Sequence, residues 1–139
     1  MAVIDSESRV LLLRTCDPAR PGSGEWWELP GGGLIPGEIA TTAARRELYE
    51  ETGIVADELG PRVAVIESDF SFDGNRYRQR ETIFSLRVDR RECAPAALEE
   101  GAEQAAHLGH EWVPLATLHE RGLRLHPPQL ARLLARLEP

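Results

Sequence analysis

The chain has 139 residues, 42% of them hydrophobic and 28% charged, with a net charge of −7. That is the size of one ordinary domain with enough apolar content for a core, and the acidic balance argues against a nucleic-acid duplex as partner. No apolar run is long enough to span a bilayer, so no membrane partner is expected. Residues 1–139 are expected to form one cytoplasmic domain, with Cys16 and Cys93 as free thiols. All 16 basic residues are arginine, which excludes chemistry through a lysine nucleophile or Schiff base.

In chain order, Ala2 to Asp5 and Arg9 to Arg14 are rich in Val, Ile and Leu around a polar turn, and read as a hairpin. The first strand reads as clipped, as though the true start lay upstream or a partner chain completed the sheet edge. Asp17 to Gly24 is a Pro/Gly loop, Trp26 to Leu29 a short strand, and Pro30 to Gly37 a glycine-rich loop. A helix is expected from Ile39 to Thr52, closed by Gly53. Val63 to Phe72 and Asn75 to Asp89 flank Asp73-Gly74, a strong hairpin signal. Arg90 to Leu108, broken by Pro95 and Gly101, reads mostly as loop. A short strand at Glu111 to Pro114 and a helical turn near Leu115 to Glu120 follow. The last helix opens at Pro127-Pro128, with Leu130, Leu133, Leu134 and Leu137 on one apolar stripe. There is no internal repeat and no regular strand–helix alternation. The expected class is therefore α/β in the α+β sense, built on a mixed sheet.

The central helix carries the chemistry. At 3.6 residues per turn, Ala40, Ala43, Ala44, Glu47, Glu50 and Glu51 share one arc, with Thr42, Arg45 and Tyr49 on the other side. The small-apolar face, which should pack inward, therefore holds the acids. Like charges at this spacing repel, and buried carboxylates are costly unless paired or metal-bound. An Arg46–Glu50 pair leaves two acids over. Oxygen-only donors favour Mg²⁺ or Mn²⁺ over zinc, and such ions suit phosphoryl displacement.

Gly32, five residues, Glu38, seven residues and then Arg46-Glu47-Leu48-Tyr49-Glu50-Glu51-Thr52-Gly53-Ile54 fit the Nudix box at every defined position. The chain resembles the Nudix hydrolases, most strongly there and more weakly along most of its length. The resemblance implies a Nudix fold, a mixed sheet sandwiched between helices. It implies metal-dependent attack of water at phosphorus in a nucleoside diphosphate linked to another group, a small-molecule substrate. Carried over, Glu47, Glu50 and Glu51 are metal ligands, with Glu47 alternatively a general base, and the Gly32 carbonyl adds an oxygen. Arg46 would hold a glutamate in place, Glu38 would support the metal site or the loop, and Gly53 would end the helix. The family also contains modules that bind a nucleotide or nucleotide sugar without cleaving it. A box with all its glutamates, on a chain with no added DNA-binding domain, favours the hydrolase.

The box does not choose the substrate. Alternation sends Trp26 and Trp27 to opposite faces, one for core and one for stacking; Trp27 is the candidate carried forward. Phe70, Phe72 and Tyr77 are further aromatic candidates. Arg76, Arg78 and Arg80 share a face, and Arg78 is the candidate phosphate clamp. Glu81, Glu100 and Glu103 are candidate acids outside the box. His107, His110, His119 and His126 lack metal-like grouping and read as structural or surface residues. The protein is expected to be a monomer or a homodimer.

Overall fold

Alternation along the first two strands gives the sheet two apolar faces. In the computed structural model, which describes residues 1–89, 93–97 and 101–137, these are β1 (Ala2–Asp5) and β2 (Arg9–Cys16). Ala2, Ile4, Val10 and Leu12 face one hydrophobic cluster, whereas Val3 and Leu11 face another. The turn between them is tied by Asp5, whose Oδ1 accepts the Glu7 and Arg9 N–H groups, each at 2.9 Å.

The remaining elements are β3 (Glu25–Glu28), α1 (Ala40–Thr52), β4 (Arg62–Phe72), β5 (Asn75–Val88), α2 (Ala102–Ala106), β6 (His107–Pro114) and α3 (Leu130–Leu134), with a 3-10 segment at Leu115–Arg121. The main path of the sheet runs β3-β2-β1-β5-β4, and β6 pairs with β2. Among the described strand pairs only β1–β5 is parallel, in register from Ala2↔Ser85 to Asp5↔Val88. The first strand is thus not an open edge awaiting a partner chain: β2 and β5 flank it. The Asp73-Gly74 turn joins β4 and β5 as expected, with φ of 47° and 76°.

The two clusters put a helix on each face of the sheet. Leu48 of α1 packs with Val3, Leu11 and Ile54 on one side. Leu130, Leu133 and Leu134 of α3 pack with Ile4, Leu12 and Val113 on the other. This is the expected mixed sheet between helices. Among the described residues, no helix is long and apolar enough to cross a membrane.

Two expectations need correction. The segment 90–108 is not mostly loop in its described part, because α2 spans Ala102–Ala106 and β6 already starts at His107. The extra strand length is dictated by β2, which pairs with β6 from Arg9↔Pro114 to Thr15↔His107, a partnership that local composition does not reveal. The final helix is also shorter than its leucine stripe suggests. Leu137 lies beyond α3 and packs only partly against the cluster.

β2 pairs with β1 at Val10 but with β3 from Leu13 to Cys16. β3 and the β4–β5 hairpin both contribute to a cleft of about 1340 Å³ that reaches the glycine-rich loop and α1.

Candidate active site

The inner face of α1 is the one the helical period indicates. Ala43, Glu47, Leu48 and Thr52 are buried, and Thr42, Arg45 and Tyr49 are exposed. Gly53 ends the helix in the left-handed conformation (φ 70°, ψ 2°) and donates its N–H to the Tyr49 carbonyl at 2.8 Å. Glycine adopts that conformation without a Cβ clash.

Arg46 organises the acids. Its Nε and Nη2 donate to the two oxygens of Glu38 at 3.0 and 2.9 Å. Its Nη1 donates to Glu47 Oε1 at 2.8 Å and to Glu50 Oε2 at 3.1 Å. Nη2 also donates to the Gly33 carbonyl at 2.8 Å. One guanidinium therefore fixes three carboxylates and the loop at once, which its planar fork permits. The hydrogen bonds from Arg46 hold the Glu38 carboxyl below the usual range, and those to Glu38 raise Arg46 above its own.

Glu51 lies outside this clamp. Its Oε2 accepts the Gly31 N–H at 2.7 Å. Glu51 is half-buried as a residue, but its carboxyl sits deep among protein atoms. That burial pushes its pKa up to about 8, helped by the negative charges of Glu28 and Glu47 and opposed by the Gly31 hydrogen bond.

Gly32 is a matter of space. A Cβ there would stand 2.5 Å from the carboxyl carbon and Oε1 of Glu47. The loop and the Glu47 carboxylate touch so closely that any larger residue would displace the carboxylate.

A second patch extends from the acids along β3. Glu28 accepts hydrogen bonds from Thr15 Oγ1 at 2.8 Å and Trp26 Nε1 at 2.9 Å, and burial raises its pKa. Trp26 meets Phe72 edge to face at 6.5 Å and the His126 ring at 6.2 Å. Phe70 stacks on Tyr77 at 5.5 Å and meets His126 at 4.8 Å. His126 is placed there by the backbone: the Trp27 N–H donates to the Arg124 carbonyl and the His126 N–H to the Trp27 carbonyl.

The sequence candidates divide accordingly. Glu38, Arg46, Glu47, Glu50, Glu51, Gly31 and Gly32 come together around the loop, and Glu81 lines the same cleft. Glu81 accepts from Ser68 Oγ at 2.8 Å and Gln79 Nε2 at 2.9 Å. Trp27 is not the cleft aromatic. It packs against the core, and Trp26 lines the cleft, because successive strand residues point to opposite faces. Arg78 does not line the cleft, whereas Arg20, Arg80 and Arg124 do. Glu100 and the side chain of Glu103 lie outside the described residues. His126, expected to be structural or at the surface, lines the cleft, as do Glu28 and Thr15, which the sequence reading did not single out. Period-two alternation from Trp26 would have pointed to Glu28; no local signal marks His126.

The donor set tests whether a divalent cation fits. All the acids are carboxylates, suited to a hard cation. Glu47 and Glu50 share one Arg46 nitrogen, Glu51 lies within the field of Glu47, and Gly32 leaves space only for the carboxylate. Such a set fits a cation chemically. Among the described residues, no three donors already stand together at metal-binding geometry.

Comparison with known proteins adds a family, two relatives and two solved structures. The NUDIX domain family model matches residues 1–137. The RNA pyrophosphohydrolase of Bradyrhizobium sp. (strain ORS 278) is 32% identical over 137 residues, covering 85% of this chain and 77% of that protein. The RNA pyrophosphohydrolase of Rhodopseudomonas palustris (strain BisB18) is 30% identical over 101 residues, covering 66% of this chain and 58% of that protein. Among solved structures, the MutT protein from Methanosarcina mazei Go1 superposes with a TM-score of 0.69 at 21% identity, over 97% of this chain and 86% of that one. The NUDIX domain of Shewanella oneidensis NrtR, complexed with ADP ribose, superposes with a TM-score of 0.65 at 17% identity, over 97% and 82%. At such identities these two structures speak for the fold alone.

Proposed function

Since the chain belongs to the NUDIX domain family and is a pyrophosphohydrolase of that family, we propose that it hydrolyses the pyrophosphate linkage of a nucleoside diphosphate joined to another group, and that it does so with Mg²⁺ or Mn²⁺. Hydrolases of this family generally use divalent metals. The observation that carries the reading is the placement of the carboxylates: Glu51 lines a cleft that Trp26, Phe70, Phe72 and Tyr77 also line, and on the same helix Arg46 holds Glu47 and Glu50.

Glu47, Glu50 and Glu51, with the Gly32 carbonyl, are the groups that would hold the cation. A bound cation would polarise the phosphoryl oxygens and acidify the attacking water. The protein's own residues supply the rest. Arg46 holds Glu47 and Glu50 against their mutual repulsion and fixes the loop through the Gly33 carbonyl. Glu38 anchors Arg46 from the opposite side and accepts the Ile35 N–H at 3.0 Å. Glu47 serves either as a further ligand or as the base that takes the proton of the attacking water. As water adds to phosphorus, the bond to the bridging oxygen breaks.

The test is a turnover panel with Mg²⁺, with Mn²⁺ and with chelator. It comprises ADP-ribose, nucleotide sugars, dinucleoside polyphosphates, nucleoside triphosphates and NADH. RNA bearing a 5′-triphosphate joins it because the relatives are RNA pyrophosphohydrolases and Arg20, Arg80 and Arg124 line the cleft. The expected result is metal-dependent hydrolysis of one class, reduced at least ~100-fold by Glu50→Gln or Glu51→Gln, the scale of losing a key electrostatic group. Turnover that survives chelator overturns the metal dependence. Silence across the panel with tight binding of one member favours a binding module instead.

A further inference from the structure

From the ring wall of the cleft we infer that the protein binds the purine base of its substrate against Trp26, with His126 Nε2 hydrogen-bonding the edge of the base. The inference rests on the cleft being the substrate site and adds which base is held and by what.

Three observations meet here. First, the Trp26 indole has a face to offer. Its ring contacts are edge-to-face with Phe72 and tilted with His126, and the one stacked pair among the described ring contacts is Phe70 with Tyr77. The indole is held in place by its Nε1 bond to Glu28, so little ordering is lost when a base stacks on it. A fused bicyclic base covers more of a fused bicyclic indole than a single ring does, and stacking grows with the area covered.

Second, His126 Nε2 is buried and, among the described residues, has no hydrogen-bond partner. A buried polar atom without a partner is costly. The neighbouring polar groups do not meet its need: Glu28 is engaged by Thr15 and Trp26, and Glu81 by Ser68 and Gln79. The ring lines the cleft. A purine offers ring nitrogens and exocyclic groups along its edge that an imidazole nitrogen can meet as donor or acceptor.

Third, Trp26, the glycine-rich loop and Glu51 line one cleft. Trp26 and Gly31 are five residues apart, at most roughly 18 Å of extended chain, so a base at Trp26 and phosphates at the loop would share that cleft.

The experiment separates this inference from the hydrolase reading by measuring binding without catalysis. Tryptophan fluorescence of the full chain is titrated in chelator with AMP, GMP, CMP, UMP and ribose 5-phosphate. At least one purine monophosphate should bind about fivefold or more tightly than CMP, UMP and ribose 5-phosphate, given the usual worth of stacking plus one hydrogen bond. His126→Ala should weaken purine binding about tenfold, His126→Gln should restore part of it, and Trp26→Leu should remove the purine preference. Each variant is first checked for a wild-type melting transition. Loss of the transition in one variant leaves the other and the wild-type base preference to decide. Equal binding of all four nucleotides by wild type, or an undiminished purine preference in either folded variant, overturns the inference. A purine preference without turnover of any panel compound would retain this inference and refute the hydrolase reading. Turnover indifferent to the base would do the reverse.

Discussion

Gly32→Ala puts one methyl group into the tightest contact of the site. The new Cβ would lie 2.5 Å from the Glu47 carboxyl carbon and Oε1 and 2.6 Å from Oε2, whereas ordinary contact starts at 3.4 Å. The carboxylate must therefore retreat by about 0.9 Å, the difference between those two distances. Backbone conformation contributes little, since Gly32 is not among the positive-φ residues. The clashing atoms are the end of a flexible side chain, so the fold can yield at modest cost, about 1–2 kcal/mol for mild overpacking. The chemistry cannot yield as easily. Glu47 is anchored by Arg46 at 2.8 Å, and Arg46 also holds Glu38 and Glu50. A displacement near 1 Å in a catalytic group costs about 100-fold in rate. The assay pairs urea unfolding with steady-state turnover on whichever panel substrate is active. The expected result is a stability loss of about 1–2 kcal/mol with a loss of turnover near 100-fold. Gly33→Ala, whose Cβ meets nothing within 4 Å, should stay within about threefold of wild type, as expected for a change that fills open space. If Gly32→Ala keeps most of its activity, or if both variants lose it alike, the close contact with Glu47 does not position a catalytic group.

Two further outcomes follow from the same cluster. Glu51 has a folded-state pKa of about 8 against an ordinary 4.5, so without metal the folded protein holds a proton that the unfolded chain releases. The Glu51 contribution to stability in chelator should therefore fall as pH rises from about 5 to 8, by roughly 2–4 kcal/mol, and then level off; it is read as the difference between wild type and Glu51→Gln, because the Met1 ammonium, lowered to about 6 by burial, contributes a slope of opposite sign above pH 6. Melting curves of Glu51→Gln should lack most of this slope; parallel wild-type and variant curves would refute the assignment. Arg46→Lys replaces a fork that reaches Glu38, Glu47, Glu50 and the Gly33 carbonyl by a single ammonium. Turnover should drop about 10- to 100-fold, the scale of losing a group that orients ligands, with partial recovery at raised Mg²⁺. Activity within threefold at every Mg²⁺ concentration would show that the clamp is dispensable.

The acidic half of the candidate site is legible in the sequence because that half is local. Glu47, Glu50 and Glu51 share a helix face through the 3.6-residue period alone, and Gly53 and the Asp73-Gly74 turn are punctuation readable in place. The other half depends on the fold. Trp26 and Trp27 alternate identically in the sequence; only the assembled fold, which sets Phe72 and His126 beside Trp26, shows that Trp26 lines the cleft and Trp27 packs on the core. β6 is long because β2, some hundred positions earlier, pairs along it. His126 reaches Phe70 and Trp26 because residues 124–126 pair with Trp27 across the chain. Periodicity records which side of an element a residue takes, but not which distant element meets it there. The carboxylate half of the candidate site is therefore written in one helix, and the aromatic half exists only once the chain has folded.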